Sequence, residues 1–274
     1  MTGFEEVADR VFVLRYPVLD VNTTLVLGEQ VALVVDTLST DAQARELAEQ
    51  ARRVTSLPYT LVNTHHHYDH CFGNAVLAEG GRPIWGHRAA IAELADRGEY
   101  WRRAWCADWQ QEDPEVAAQL AAVRIVPPDH PVDEHSTVDL GGRSVLLRHF
   151  GRGHTEGDLV VLVPDAGVVL AGDLVEESGP PGFGDAYPLE WPETLAALLH
   201  LVPEDGVVVP GHGAAVGRSF VEAQHGQLSE LDWLIRAGEQ DGADAAKVAA
   251  RSPFGLDASL VAVRRGYAEL SGRA

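Results

Sequence analysis

Short apolar runs alternate along this chain with turns marked by glycine and proline, and longer stretches of helical period interrupt them. Residues 11–16, 23–27 and 31–36 read as three strands, separated by turn residues such as Gly28-Glu29. Residues 40–53 read as a helix that Ser39 or Thr40 can cap, with Leu47, Ala48 and Ala51 on its apolar face. The β-branched and aromatic run at 59–64 predicts a further strand, as does 83–87. Residues 88–123 have helical period and carry Ile91, Leu94, Trp101, Trp105 and Trp109. Strand-like runs return at 138–140, 144–150, 159–163 and 168–170, and a helix at 192–201 precedes a strand at 207–209. From 217 to 274 the chain reads as helical, with Val221, Leu228, Leu231, Leu234 and Ile235 forming a partial apolar face. Two groups of strands with helices in each half define an α/β chain.

The polar chemistry collects where these runs end. The strand at 59–64 feeds into His65-His66-His67-Tyr68-Asp69-His70, an H-x-H-x-D-H pattern with four metal-binding side chains in six residues. In extended backbone, side chains alternate, so His65 and His67 project together and His66 points away. Asp69 and His70 come next, where 71–77 reads as a turn opening into a helix, and the turn aims them at a second cation. Two-metal hydrolases hold their ions about 3.5–4 Å apart, a spacing this compact block can serve. His154, Asp173 and His212 each follow an apolar run and each stands next to glycine, which permits tight backbone near an ion. Asp173 is the one carboxylate among these three and the best candidate to bridge two metals. Nitrogen and oxygen donors of this kind suit Zn²⁺, and Fe²⁺ or Mn²⁺ accept them too. His66, His87, His130, His135, His149, His200 and His225 fit no ligand slot and read as surface or hydrogen-bonded structural residues.

In this order the four blocks resemble the metallo-β-lactamase-fold superfamily over roughly residues 8–216. That resemblance implies an αββα sandwich of two mixed β-sheets flanked by helices. It implies one metal on His65, His67 and His154, a second on Asp69, His70 and His212, and Asp173 between them. A metal-bound hydroxide at such a binuclear site would cleave a small ester, thioester, lactone or related bond, with Asp69 orienting the nucleophile. The aspartate at 173 is similar to the family's glyoxalase-II-like and general hydrolase branches rather than to its true β-lactamases. Two other readings stand beside this one: a mononuclear iron oxidoreductase similar to persulfide dioxygenases, on His65, His67 and His154, and a non-catalytic metal-stabilised binding module.

Composition narrows the picture. A net charge of −20 repels polyphosphate backbones, so a small-molecule substrate is expected and nucleic acid is not. Two cysteines, Cys71 and Cys106, make no disulfide framework in 274 residues and point to a reduced, cytoplasmic setting. Met1 to Glu6 has neither a basic start nor an apolar stretch, so no secretory leader is expected, nor is any membrane span. The expected organisation is a catalytic domain at 1–216 with a helical insertion at 88–123, and a helical extension at 217–274. Trp101, Trp105 and Trp109 recur every fourth residue. They read as a packing stripe, against the sandwich or a second copy in a homodimer, or as an aromatic wall over the metals. The Gly/Pro-rich loop 178–187 is a candidate rim with Phe183 and Tyr187 as substrate contacts, and Arg152 is a candidate for a substrate anion.

Overall fold

The computed structural model describes residues 3–272. The first half runs β1 (Glu5–Ala8), β2 (Val11–Tyr16), β3 (Val21–Leu27), β4 (Ala32–Val35), α1 (Asp41–Val54), β5 (Tyr59–Val62), α2 (Tyr68–Cys71), α3 (Asn74–Leu77), β6 (Ile84–His87), α4 (Arg88–Glu112), α5 (Pro114–Ala122) and β7 (His130–Val132). The second runs β8 (His135–Asp139), β9 (Ser144–Arg148), β10 (Val160–Val163), β11 (Val168–Glu176), α6 (Trp191–Leu199), β12 (Val207–His212), α7 (Arg218–Gln240), α8 (Ala245–Ala249) and α9 (Leu256–Leu270).

The strands form two mixed sheets. In the first, β1 to β4 pair antiparallel, and β4, β5, β6 and β7 pair parallel. In the second, β12 lies parallel to β11, while β10, β9 and β8 continue antiparallel. A single register pair, His212 with Val21, joins them along the β12–β3 seam.

Their inner faces share one core, in which Val11, Val26, Leu33 and Val62 face Leu147, Val161, Val163 and Leu170. On the outside of the first sheet, Ala44, Leu47 and Ala51 of α1 cover Leu25, Val34 and Leu61. On the outside of the second, α6 and α7 supply Leu195, Leu198, Leu228, Leu231 and Ile235 against Val160, Val169 and Val208. The architecture is the αββα sandwich. Because β10 and most of β11 are buried on both faces, they read in the sequence as continuous apolar runs rather than alternating ones. Truncating a fully buried residue such as Leu47 to alanine costs about 2–5 kcal/mol.

Thr40 caps α1 as expected, its side chain accepting from the Gln43 N–H at 3.3 Å. The stretch 88–123, helical in pattern, is built as two helices. Asp113 accepts from the Glu115 and Val116 amides and Pro114 follows at the first helical position, a start signal that ends one helix and opens another. The two fold back so that Leu94, Leu120 and Val123 share a small core with Cys71 and Phe72. Among the described residues, no helix is long and apolar enough to cross a membrane.

Candidate metal centre

The C-terminal ends of β5, β11 and β12 point to one crevice, the position where α/β sheets gather polar groups. After β5 the chain turns through His65, His66 and His67 into the single helical turn α2, so Asp69 and His70 sit on that helix rather than on a turn before it. Asp173 comes from β11, His212 from the end of β12, and His154 from the loop after β9. His65, His67, His154 and Asp173 offer donor atoms all within 4.8 Å of one another, and Asp69, His70 and His212 form a second such group.

Asp173 lies between the groups. Its carboxylate is 3.0 Å from His70 Nε2, 3.3 Å from His154 Nε2, 3.4 Å from His212 Nε2 and 3.6 Å from His65 Nε2. Within the groups, His154 Nε2 is 2.9 Å from His67 Nδ1, His70 Nε2 is 3.3 Å from His212 Nε2, and His212 Nε2 is 3.3 Å from Asp69 Oδ2. Donors about 2.0–2.2 Å from a tetrahedral cation stand some 3.3 Å apart, so these separations fit ligation. His65 Nε2 is buried with no hydrogen-bond partner, an orphan that a cation would satisfy. Gly211 makes the approach possible, since a Cβ there would fall 1.8 Å from Asp173 Oδ1.

The far side of each ring is held. His70 Nδ1 is 2.8 Å from Asp36 Oδ2, and Asp36 also accepts from the Thr64 amide and hydroxyl. His212 Nδ1 meets the Leu19 carbonyl at 2.8 Å, and His154 Nδ1 the Gly182 carbonyl at 3.1 Å. His65 Nδ1 faces Thr64 Oγ1 at 3.0 Å, and His67 Nε2 faces Asp185 Oδ1 at 3.0 Å. Such partners fix the ring tautomer and angle of a metal-binding histidine.

Charge divides the rings. Burial pushes His154 down to about 4 and His65 well below its ordinary range, leaving both neutral with a lone pair to give. Burial opposes charge on His70 and His212 as well, but Asp173 and Asp69 outweigh it and raise both. Burial likewise opposes charge on Asp173 and Asp69, yet His70 and His212 hold both below the usual carboxylate range. A divalent cation would take over the charge those two protons now balance.

The other expected residues are placed as follows. Arg152 pairs with Glu190 and stacks 4.2 Å over the Tyr187 ring, beside a cavity of about 910 Å³ that both line. Phe183 turns inward instead of lining the rim: it is 4% exposed and packs on Trp191 and Phe254, where an apolar ring is better placed than in water. The tryptophan stripe packs on the loop of candidate donors, Trp105 meeting His67, Tyr68 and Phe72, and Trp109 Nε1 donating to Tyr68 Oη at 2.8 Å. His66 is buried beside Asp185, and His149 stacks on His87 at 4.0 Å. Sequence reasoning missed Asp36, Asp185 and Asp158, the last accepting from the Thr155 amide and hydroxyl beside His154. It also missed Glu176, grouped with Asp173 and His212. Asp36 ends a strand run just as the ligands do, which was the one available signal.

The profile of the Metallo-beta-lactamase superfamily matches residues 16–212, and the chain belongs to that superfamily. A "Metallo-beta-lactamase type 2" of Bacillus cereus is 29% identical over 203 residues, covering 72% of this chain and 69% of the relative. A "Hydroxyacylglutathione hydrolase" of Rhodobacter capsulatus is 27% identical over 187 residues, covering 65% and 60%. Among solved structures, a metallo-beta-lactamase from Pontibacter korlensis superposes with a TM-score of 0.67 at 20% identity, covering 84% of this chain and 99% of that one, a likeness of fold. The chain is thus a hydrolase-family protein with a histidine and aspartate cluster suited to metal.

Proposed function

We propose that the chain is a binuclear metallo-hydrolase that cleaves a small ester, thioester, lactone or related bond. The observation that carries the reading is Asp173, whose one carboxylate stands against donors of both groups, from 3.0 to 3.6 Å. His65, His67 and His154 would hold one ion, Asp69, His70 and His212 the other, with Asp173 shared. Zn²⁺ suits these donors, and Fe²⁺ or Mn²⁺ would be accepted. When bound, such a pair supplies a water whose pKa falls from 15.7 toward about 7 and polarises the oxygen of the scissile group.

The chain's own residues set the stage for that chemistry. Asp69, held 3.3 Å from His212 and kept ionised, would orient the nucleophile rather than act as a free base. Burial of His65, Asp69, His70, His154 and Asp173 lowers the local dielectric, which strengthens the charge interactions there. Arg152, stacked on Tyr187, would be available to a substrate anion from the cavity that both line. A thioester is favoured among the options by the relative named for hydroxyacylglutathione, and a β-lactam by those named metallo-beta-lactamase. Residues 1–216 would form the catalytic unit, with the helices from 217 onward completing its rim.

The test is an elemental count on protein purified without added metal, followed by a panel of ester, thioester, lactone, phosphodiester and β-lactam substrates. Two ions per chain with turnover of one class is the expected result. A single iron with oxygen uptake on persulfide, or two ions with a flat panel, would overturn it.

A further inference from the structure

The loop 178–187 reaches the centre through one side chain. Asp185 Oδ1 lies 3.0 Å from His67 Nε2, and Oδ2 lies 3.1 Å from His66 Nε2, close but poorly aligned for a hydrogen bond. An ionised carboxylate only accepts, so a neutral His67 would carry its proton on Nε2 and its lone pair on Nδ1. Nδ1 is the atom 2.9 Å from His154 Nε2 inside the first donor group. The Asp185 contact thus leaves Nδ1 as the His67 nitrogen that would face an ion.

Asp185 lies in no helix or strand, and α9 holds it in place. From that helix, Arg265 donates Nη1 to the Gly184 carbonyl at 3.2 Å, Nη2 to Asp185 at 3.0 Å and Nε to Ala186 at 2.5 Å. One planar guanidinium thus binds three successive carbonyls, a grip that no other side chain matches. We infer that Asp185 and Arg265 are positioning residues for the metal centre: Asp185 sets the tautomer and angle of His67, and Arg265 sets Asp185. This rests on the metal-binding reading above. It makes the C-terminal helix part of the site without touching a reacting atom.

The experiment measures stepwise Zn²⁺ affinity by chelator competition, the absorption spectrum of the Co²⁺-loaded protein, and the melting of the metal-free protein. Wild type is compared with D185A, D185N, R265A, R265K and the D185A/R265A double variant. D185A is expected to weaken one of two ions by about 10–100-fold and to change the Co²⁺ spectrum, while the other ion holds. D185N, which keeps an acceptor oxygen, recovers most of that loss. R265A and R265K weaken the same ion by less, because lysine keeps the charge but not the fork. The double variant is no weaker than D185A alone, as for residues acting in one chain. Unchanged affinities in D185A, or an Arg265 variant that melts earlier but binds both ions normally, would overturn the inference. So would additive losses, or a third equivalent of metal lost with Asp185, which would make His66, His67 and Asp185 a ligand set of their own. A wild type that takes up no ions sinks the metal-centre reading itself, and this inference with it.

Discussion

Asp36 and Asp185 do the same job for different histidines, and they are built into the fold differently. Asp36 directly follows β4, is 3% exposed, and accepts three hydrogen bonds, from the Thr64 amide at 2.8 Å, the Thr64 hydroxyl at 2.7 Å and His70 Nδ1 at 2.8 Å. Its backbone sits at φ 64°, a left-handed conformation that aspartate tolerates better than most residues. Asp185 stands on a loop with its side chain 24% exposed and depends on a helix far along the chain. One anchor belongs to the core, so breaking it breaks the fold around the site. The other belongs to the surface, where a change can reach the ligand while the sandwich stays intact.

The largest expected effect tests the candidate donors themselves. H67A or D69A should reduce turnover to the uncatalysed background with little change in the melting temperature of the metal-free protein, and full activity in either would end the metal-centre reading. D36A comes next. It leaves a buried imidazole and the Thr64 donors unpaired, and urea unfolding should show a loss of about 3–5 kcal/mol, as for a broken buried pair. A loss no larger than that of D185A would erase the distinction between the anchors. W105A removes a half-buried ring from beside His67 and should cost about 3 kcal/mol or less in the same assay, below the range for a fully buried aromatic ring.

The smallest effect lies away from both anchors. Burial, with His149 stacked beside it, pushes His87 down to about 4. The unfolded side chain titrates near 6.5, so between about pH 6.5 and 4 the unfolded chain binds the extra proton, and stability falls as pH falls through that window. H87N keeps an acceptor for the Ala89 amide at the start of α4 and should flatten the decline of melting temperature in that range. An unchanged slope would place the acid sensitivity elsewhere.

Legibility followed the range of each interaction. His65, His67, Asp69 and His70 announce themselves within six residues, and His154, Asp173 and His212 each stand beside glycine at the end of an apolar run, so local pattern alone gathered the donors. Apolar runs such as 159–163 signalled strands. Asp185 carries no local mark, since an aspartate in a glycine-rich loop looks like any turn residue until a helix some eighty positions later closes on it. Phe183 was misplaced for the same reason: only α6 and the Phe254 segment show that its ring has a core to enter. The break at Asp113-Pro114 was readable as a cap and start signal, yet the apolar period running through it masked the stop.

The seam between the sheets gives the site a second consequence. Its only register pair places His212 beside Val21, and the candidate donors divide there, with four from the first half of the chain and three from the second. Cations held there, as proposed, would tie together two halves that already share a core, and would act as a latch on it. At free metal a thousandfold above its dissociation constant, that latch would add about 4 kcal/mol to the folded state. A chelator would then take away the latch alone, lowering the melting temperature while the shared core keeps the halves together.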